Sequence, residues 1–178
     1  MTVLVSGGAA SGKSAFAEEQ LCLLSGDSPR IYLATMQPFG EEAAARIERH
    51  RALRVGRGFQ TAECFCNLTG AELPSGCSVL LEDVGNLLAN EMFDPAGSGP
   101  DDAANAVVHG VKEMQGRCRH LVLVSNEVGA GGADYGCETL RYMRLLGEVN
   151  RRLAALSDRV CEIVCGLTEY YKGEDMCE

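Results

Sequence analysis

The sequence predicts an α/β fold, a mostly parallel sheet with helices on both faces. Two observations carry this. Short apolar runs alternate with helical stretches through at least five strands, at 2–6, 30–34, 77–83, 121–124 and 160–165. Unbroken apolar runs of this length read as parallel strands buried between helices. The second observation is Gly7-Gly8-Ala9-Ala10-Ser11-Gly12-Lys13-Ser14, which fits G-x-x-x-x-G-K-[ST]. It follows the first apolar run and precedes Phe16, Ala17, Gln20, Leu21 and Leu24, which have helical spacing. Strand, glycine loop and helix form the context in which this motif holds phosphate. Glycines let successive backbone N–H groups turn toward one anion, and the helix N-terminus adds partial positive charge. Lys13 is then expected at the β/γ-phosphates and the Ser14 hydroxyl at a Mg²⁺ ion. An ordinary Gly-rich turn, the alternative, leaves the Lys-Ser ending unexplained. The fold expected is P-loop NTPase-like.

The 178 residues fit one nucleotide-binding domain, 1–178, large enough to bury roughly 70% of its unfolded surface. Sixteen basic against 25 acidic residues leave a net charge of −9, which argues against nonspecific nucleic-acid binding. No stretch approaches the ~20 apolar residues of a membrane span. The chain enters its first strand at once, so no signal peptide is expected and a cytoplasmic location is. Nine cysteines are scattered along the chain without a C-x-x-C pair, and Cys64 and Cys66 are the closest two. That pattern gives a zinc site little support and reads as reduced, small, partly buried residues.

Strand 30–34 ends in Thr35, Met36 and Gln37. Ends of parallel strands face the ligand crevice of open α/β sheets, so these three are candidate nucleotide contacts; a plain strand end is the alternative. Residues 41–54 have helical character. Arg46, Arg49, Arg51, Arg54 and Arg57 gather five of the sixteen cations within twelve residues, with His50 among them at i±4 from Arg46 and Arg54. In an acidic protein this makes a local anion-attracting patch, or, more plainly, a solvated basic helix face. Residues 55–76 are poorly patterned, with Glu63 after a possible short strand. The run 77–83 ends in Glu82-Asp83, which resembles a Walker B element whose carboxylate holds Mg²⁺ or its water. Asp83 suits the N-cap of the helix at 84–93, leaving Glu82 as the site candidate. A Gly/Pro/Ser loop at 94–100 leads to a helix opened by Asp101-Asp102. Strand 121–124 ends in Ser125-Asn126-Glu127-Val128-Gly129, and an amphipathic helix spans 138–156. His109 and His120 have no chemical neighbourhood and read as structural. Residues 168–178 read as a frayed polar tail.

Taken together, the phosphate loop, Tyr32-Leu33-Ala34-Thr35, Arg46-Ile47-Glu48-Arg49-His50-Arg51, Thr61-Ala62-Glu63, Leu80-Leu81-Glu82, Asn90 and Ser125-Asn126-Glu127-Val128-Gly129 resemble one family in order and content. Gly147-Glu148-Val149-Asn150-Arg151-Arg152-Leu153-Ala154, followed by Asp158-Arg159-Val160, fits as well. It is the bifunctional adenosylcobinamide kinase / adenosylcobinamide-phosphate guanylyltransferase family of cobalamin synthesis. The resemblance implies phosphorylation of the corrinoid's aminopropanol hydroxyl, then transfer of GMP from GTP onto that phosphate through a guanylylated histidine, which maps onto His50. It implies GTP, ATP and Mg²⁺ as nucleotides and metal, an adenosylcobinamide substrate and a homotrimer. Arg51, Ala52, Leu53, Arg54, Glu63 and Glu82 would hold the guanine nucleotide, with Thr35, Met36 and Gln37 nearby. A neutral imidazole can attack an α-phosphate, while neighbouring arginines stabilise the developing charge and disfavour imidazolium.

Three departures stand out. Val55 follows Arg54 where the family usually has proline. Ala130-Gly131-Gly132-Ala133-Asp134 replaces G-x-G-I-V-P, and Tyr142-Met143-Arg144 replaces F-R-D. The nucleotide and histidine parts are kept, while the C-terminal loop and helix have drifted, and those two are expected to shape the corrinoid side. The competing reading is a P-loop small-molecule kinase retaining one of the two activities. A Ras-like switch is disfavoured because no N-K-x-D guanine motif occurs.

Overall fold

A computed structural model of the chain describes residues 1–38, 40, 47–48, 51–52, 54–128 and 134–173. Among these, seven strands form one sheet: β1 Thr2–Gly7, β2 Arg30–Ala34, β3 Phe59–Glu63, β4 Ser78–Glu82, β5 His120–Val124, β6 Arg159–Val164 and β7 Leu167–Lys172. Their order is β3-β2-β4-β5-β1-β6-β7, parallel throughout except that β7 runs antiparallel to β6. The helices are α1 Lys13–Ser25, α2 Val84–Phe93, α3 Ala103–Arg117 and α4 Cys137–Leu156, with a short 3₁₀ turn at Leu68–Gly70. No helix among the described residues is long and apolar enough to cross a membrane.

Strand alternation divides the core in two. Val3, Val5, Leu80, Val122 and Val124 face α1 and pack on Ala17 and Leu21. Leu4, Leu33, Leu81 and Leu123 face the other way, under Leu87 and Leu88 of α2, Val107 and Val111 of α3, and Val149 and Leu153 of α4. The helices therefore cover both faces, and the central strands are apolar on both because nothing exposes them to water. Asp83 caps α2 by accepting from the Asn86 N–H at 2.6 Å, the role its position after β4 predicted.

Two stretches differ from expectation. The poorly patterned region holds β3, whose residues are half-buried or exposed because it is a sheet edge, so no apolar run marks it. The polar tail expected over 168–178 begins instead with β7, and residues 174–178 lie outside the described ones. Cys165 (φ 52°) and Gly166 (φ 81°) are both left-handed, the requirement of a two-residue hairpin turn that matches strand twist. The turn ends β6 at Val164 and returns the chain with Val164 opposite Leu167. Tyr170 packs on the α1-side core while Leu167, Glu169, Tyr171 and Lys172 remain exposed. Such an edge strand carries too little apolar pattern to show in sequence.

Gly110 of α3 lies where a Cβ would stand 2.6 Å from the Leu68 Cβ, whereas at Gly116 nothing lies within 4 Å. Gly110→Ala is expected to lose about 1–3 kcal/mol through overpacking. Gly116→Ala should gain roughly 0.5–1 kcal/mol of helix propensity. Thermal denaturation of the two variants beside wild type checks both signs.

Candidate active site

The phosphate loop joins β1 to α1. At Gly7 a Cβ would meet the Ile163 carbonyl oxygen at 2.6 Å and the Ser11 Oγ at 2.7 Å, so the turn out of β1 admits no side chain. Gly12 precedes α1 with φ 98°, left-handed backbone that glycine adopts without strain. The Gly166 N–H donates to the Ser11 carbonyl at 3.0 Å, so the β6–β7 hairpin braces the loop from its outer side. Lys13 Nζ donates to the Gly8 carbonyl at 2.9 Å, keeping the ammonium over the loop. Ser11 Oγ is buried with no hydrogen-bond partner among the described residues.

Glu82 closes β4 and is 7% exposed. Its Oε1 accepts from Ser14 Oγ at 2.8 Å and its Oε2 from the Tyr32 hydroxyl. Burial first, and then the neighbouring Glu82 charge, push the Tyr32 phenol well above its ordinary value. The phenol therefore stays protonated and serves as a donor. The Arg54 guanidinium lies over the Tyr32 ring, 3.3 Å from its centroid, a cation–π contact. A chain of contacts thus runs from the helix that follows the phosphate loop, through Ser14, Glu82 and Tyr32, to the arginine segment. Tyr32 escaped the sequence reading because it stands inside an apolar strand. Its signal was a buried phenol, which needs a polar partner.

A cavity of ≈ 180 Å³ opens above the C-terminal ends of β2, β3 and β4, lined by Tyr32, Met36, Arg51, Arg54, Glu63 and Glu82 among others. It gathers five of the residues expected at the nucleotide. Arg51 Nη2 lies 3.8 Å from Glu63 Oε1, and Arg51 Nη1 pairs with Glu48 Oε1 at 2.7 Å. Two expected contacts are placed elsewhere. Thr35 is fully buried, donating from Oγ1 to the Asp83 carbonyl at 2.9 Å and accepting from the Asp83 N–H at 2.8 Å. Its hydroxyl fixes the backbone beside Glu82 rather than lining the cavity. Gln37 donates from Nε2 to Asp94 Oδ2 at 2.7 Å, on the side of Phe65 and Cys66, which draws it away from the site. Ala52 is exposed. His50 and Leu53, with Arg46 and Arg49, lie outside the described residues.

Polar braces surround the core of the site. Asn90 Nδ2 donates to the Thr35 and Phe65 carbonyls at 2.8 and 2.9 Å, tying together the segments that leave β2 and β3. Asn126 Nδ2 donates to Asp83 Oδ2 at 2.7 Å, joining the end of β5 to the cap of α2. Tyr142 donates to the Gly85 carbonyl at 3.2 Å, and burial, with Asp83 adding to it, pushes its phenol up to about 12.

Among the described residues no group of three or more His, Cys, Asp or Glu side chains could hold a metal ion. The donor set at Ser14 and Glu82 fits Mg²⁺ none the less. Mg²⁺ takes hard oxygen ligands, commonly one or two from protein and the rest from phosphate and water.

The sheet order, the glycine loop and a carboxylate facing the loop's serine define a nucleotide-using α/β protein of the P-loop kind. The chain belongs to the cobinamide kinase / cobinamide phosphate guanyltransferase family, whose model matches residues 3–169. Membership makes it a kinase and nucleotidyltransferase by class. The bifunctional adenosylcobalamin biosynthesis protein CobU of Salmonella typhimurium is 35% identical, covering 94% of this chain and 97% of that one. Its Escherichia coli counterpart is 36% identical over the same shares. The bifunctional adenosylcobalamin biosynthesis protein CobP of Pseudomonas aeruginosa is 32% identical, covering 99% and 100%.

Thr35→Val should lower stability by roughly 1–3 kcal/mol, because it removes the partner of two buried backbone groups. It should also weaken nucleotide-induced thermal stabilisation by releasing the strand end beside Glu82. Thr35→Ser keeps the hydroxyl and is expected to recover most of both losses in the same melting experiment.

Proposed function

We propose that the protein phosphorylates the aminopropanol hydroxyl of adenosylcobinamide and then transfers GMP from GTP onto that phosphate, giving adenosylcobinamide-GDP. Beyond family membership, one observation supports this reading: the Ser14–Glu82 contact joins the phosphate loop to a cavity walled by Arg51 and Arg54. One end of the site handles a triphosphate, and the other offers cations to a second phosphoryl centre.

In the first reaction the substrate hydroxyl attacks the γ-phosphorus, the bond to the bridging oxygen breaks, the nucleoside diphosphate leaves, and the hydroxyl proton is released to water. Loop N–H groups and Lys13 would hold the phosphates in line. Mg²⁺, held by Ser14 and Glu82, would supply charge neutralisation at the phosphate oxygens. In the second reaction an imidazole nitrogen of His50 attacks the α-phosphorus of GTP and pyrophosphate leaves. An oxygen of the phosphorylated corrinoid then attacks the same phosphorus, and the P–N bond breaks, returning the electron pair to His50. Arg51 and Arg54 stabilise the charge that builds on the phosphoryl oxygens. Glu63 can accept from the N–H groups of a guanine base. ATP or GTP would serve as phosphate donor, and a homotrimer belongs to the same reading.

Incubation with α-labelled GTP and Mg²⁺, followed by denaturation, tests the covalent step. Acid-labile label on wild type and none on His50→Ala is the expected result. Wild-type protein that binds GTP and phosphorylates cobinamide yet retains no label would reduce the assignment to a kinase alone. Lys13→Ala is expected to slow cobinamide phosphorylation by about 10²-fold or more, measured by phosphate transfer from γ-labelled nucleotide.

A further inference from the structure

Val55, which stands where the resembled family usually has proline, has no role in the site above. It is 82% exposed, in a turn held by Arg54 N–H to Arg51 O at 3.1 Å and Arg57 N–H to Arg54 O at 3.1 Å. Two further contacts dock this turn on the body of the protein. Arg30 Nη1 donates to the Arg57 carbonyl at 3.0 Å, and Arg57 Nη1 pairs with the buried Glu18 at 3.2 Å. Between the turn and β3 lies a second cavity, ≈ 530 Å³, lined by Arg51, Arg54, Val55, Gly58, Phe59 and Thr61 among others. It shares Arg51, Arg54 and Thr61 with the ≈ 180 Å³ cavity, so these residues form a common wall.

On that wall Arg51 is paired with Glu48 at 2.7 Å, whereas Arg54 has a donor left over. Arg54 is 7% exposed, and its Nη1 has no hydrogen-bond partner among the described residues. A buried guanidinium N–H without an acceptor is costly, and a phosphate oxygen, like a carboxylate, matches its geometry. Arg57, by contrast, is already paired with Glu18.

We propose that the second cavity receives the phosphate monoester that accepts GMP, with the nucleotide in the first cavity and Arg51 and Arg54 between the two. This rests on the guanylyl-histidine reading. His50 immediately precedes Arg51 in the chain. Two phosphates must approach each other for the transfer, and cations between them offset their repulsion. The monoester oxygen forms the new bond to the α-phosphorus as the bond from phosphorus to His50 nitrogen breaks. No further reactant is needed. The cavity lies at the rim of the sheet, because β3 is an edge strand. A phosphate on a short alkyl arm enters there, while a bulky remainder stays outside.

The test separates acceptor from nucleotide. Wild type, Val55→Asp and Val55→Lys are loaded with α-labelled GTP, freed of nucleotide, and mixed with either cobinamide phosphate or inorganic pyrophosphate. Pyrophosphate discharges the label by the reverse of loading and does not need the second cavity. An acid at position 55 should slow discharge to subsaturating cobinamide phosphate roughly tenfold by like-charge repulsion, leaving discharge to pyrophosphate unchanged. Val55→Lys should match or exceed the wild-type rate with cobinamide phosphate. Equal rates for all three proteins with cobinamide phosphate, or equal slowing of both discharges in Val55→Asp, would overturn the assignment. Absence of label on the wild-type protein would overturn the guanylyl-histidine reading itself, and this inference with it.

Discussion

The carboxylate of Glu82 is the group on which the rest of the site depends. A carboxylate at 7% exposure is costly to bury unless it is given hydrogen-bond donors. Two hydroxyls meet this need from opposite sides, Ser14 from the helix after the phosphate loop and Tyr32 from the neighbouring strand. Each contact settles the position of its partner as well. Ser14 is directed toward the place where phosphate and metal would be held. Tyr32 is anchored with its ring face available to Arg54, and the arginine segment is thereby set against the sheet. One buried charge so relates two regions of different chemistry.

Packing brings these groups together. Ser14 belongs to the helix that leaves β1, and Glu82 ends β4, with β5 between those strands. The two meet because α1 crosses that face of the sheet with Ala17 and Leu21 buried against Val5, Val122, Val124 and Leu80. Burial of such side chains contributes about 1.5–3 kcal/mol for each large aliphatic residue, more than the net value of a single hydrogen bond. The hydrophobic face of α1 therefore positions the hydroxyl, and the Glu82 contact refines it. On the outer side the β6–β7 turn reaches Ser11, so both flanks of the loop are supported.

The buried strands and helix α2 were legible because each carries a local signal: an unbroken apolar run, a glycine loop, or an N-cap acid. The division of labour between Glu82 and Asp83 was legible for the same reason, since strand end and helix cap are adjacent positions with different requirements. β7 was not, because an edge strand in a hairpin needs only Tyr170 for the core and fills its other positions with polar residues. Thr35 and Gln37 show a different limit. Sequence places them at a strand end, but the direction of each side chain follows from partners 48 and 57 residues away, Asp83 and Asp94. Tyr32 shows the converse, a strand residue whose hydroxyl acquires its role only when β2 lies beside β4.

The central claim is that Ser14 and Tyr32 act on one carboxylate and are coupled through it. A double-mutant cycle on Mg²⁺·GTP affinity, with Ser14→Ala, Tyr32→Phe and the pair measured by calorimetry, tests this most directly. Coupling through Glu82 predicts a non-additive double variant, with an interaction energy of roughly 0.5–3 kcal/mol. Losses that simply add would show that the two hydroxyls act independently and that Glu82 does not join the two ends of the site.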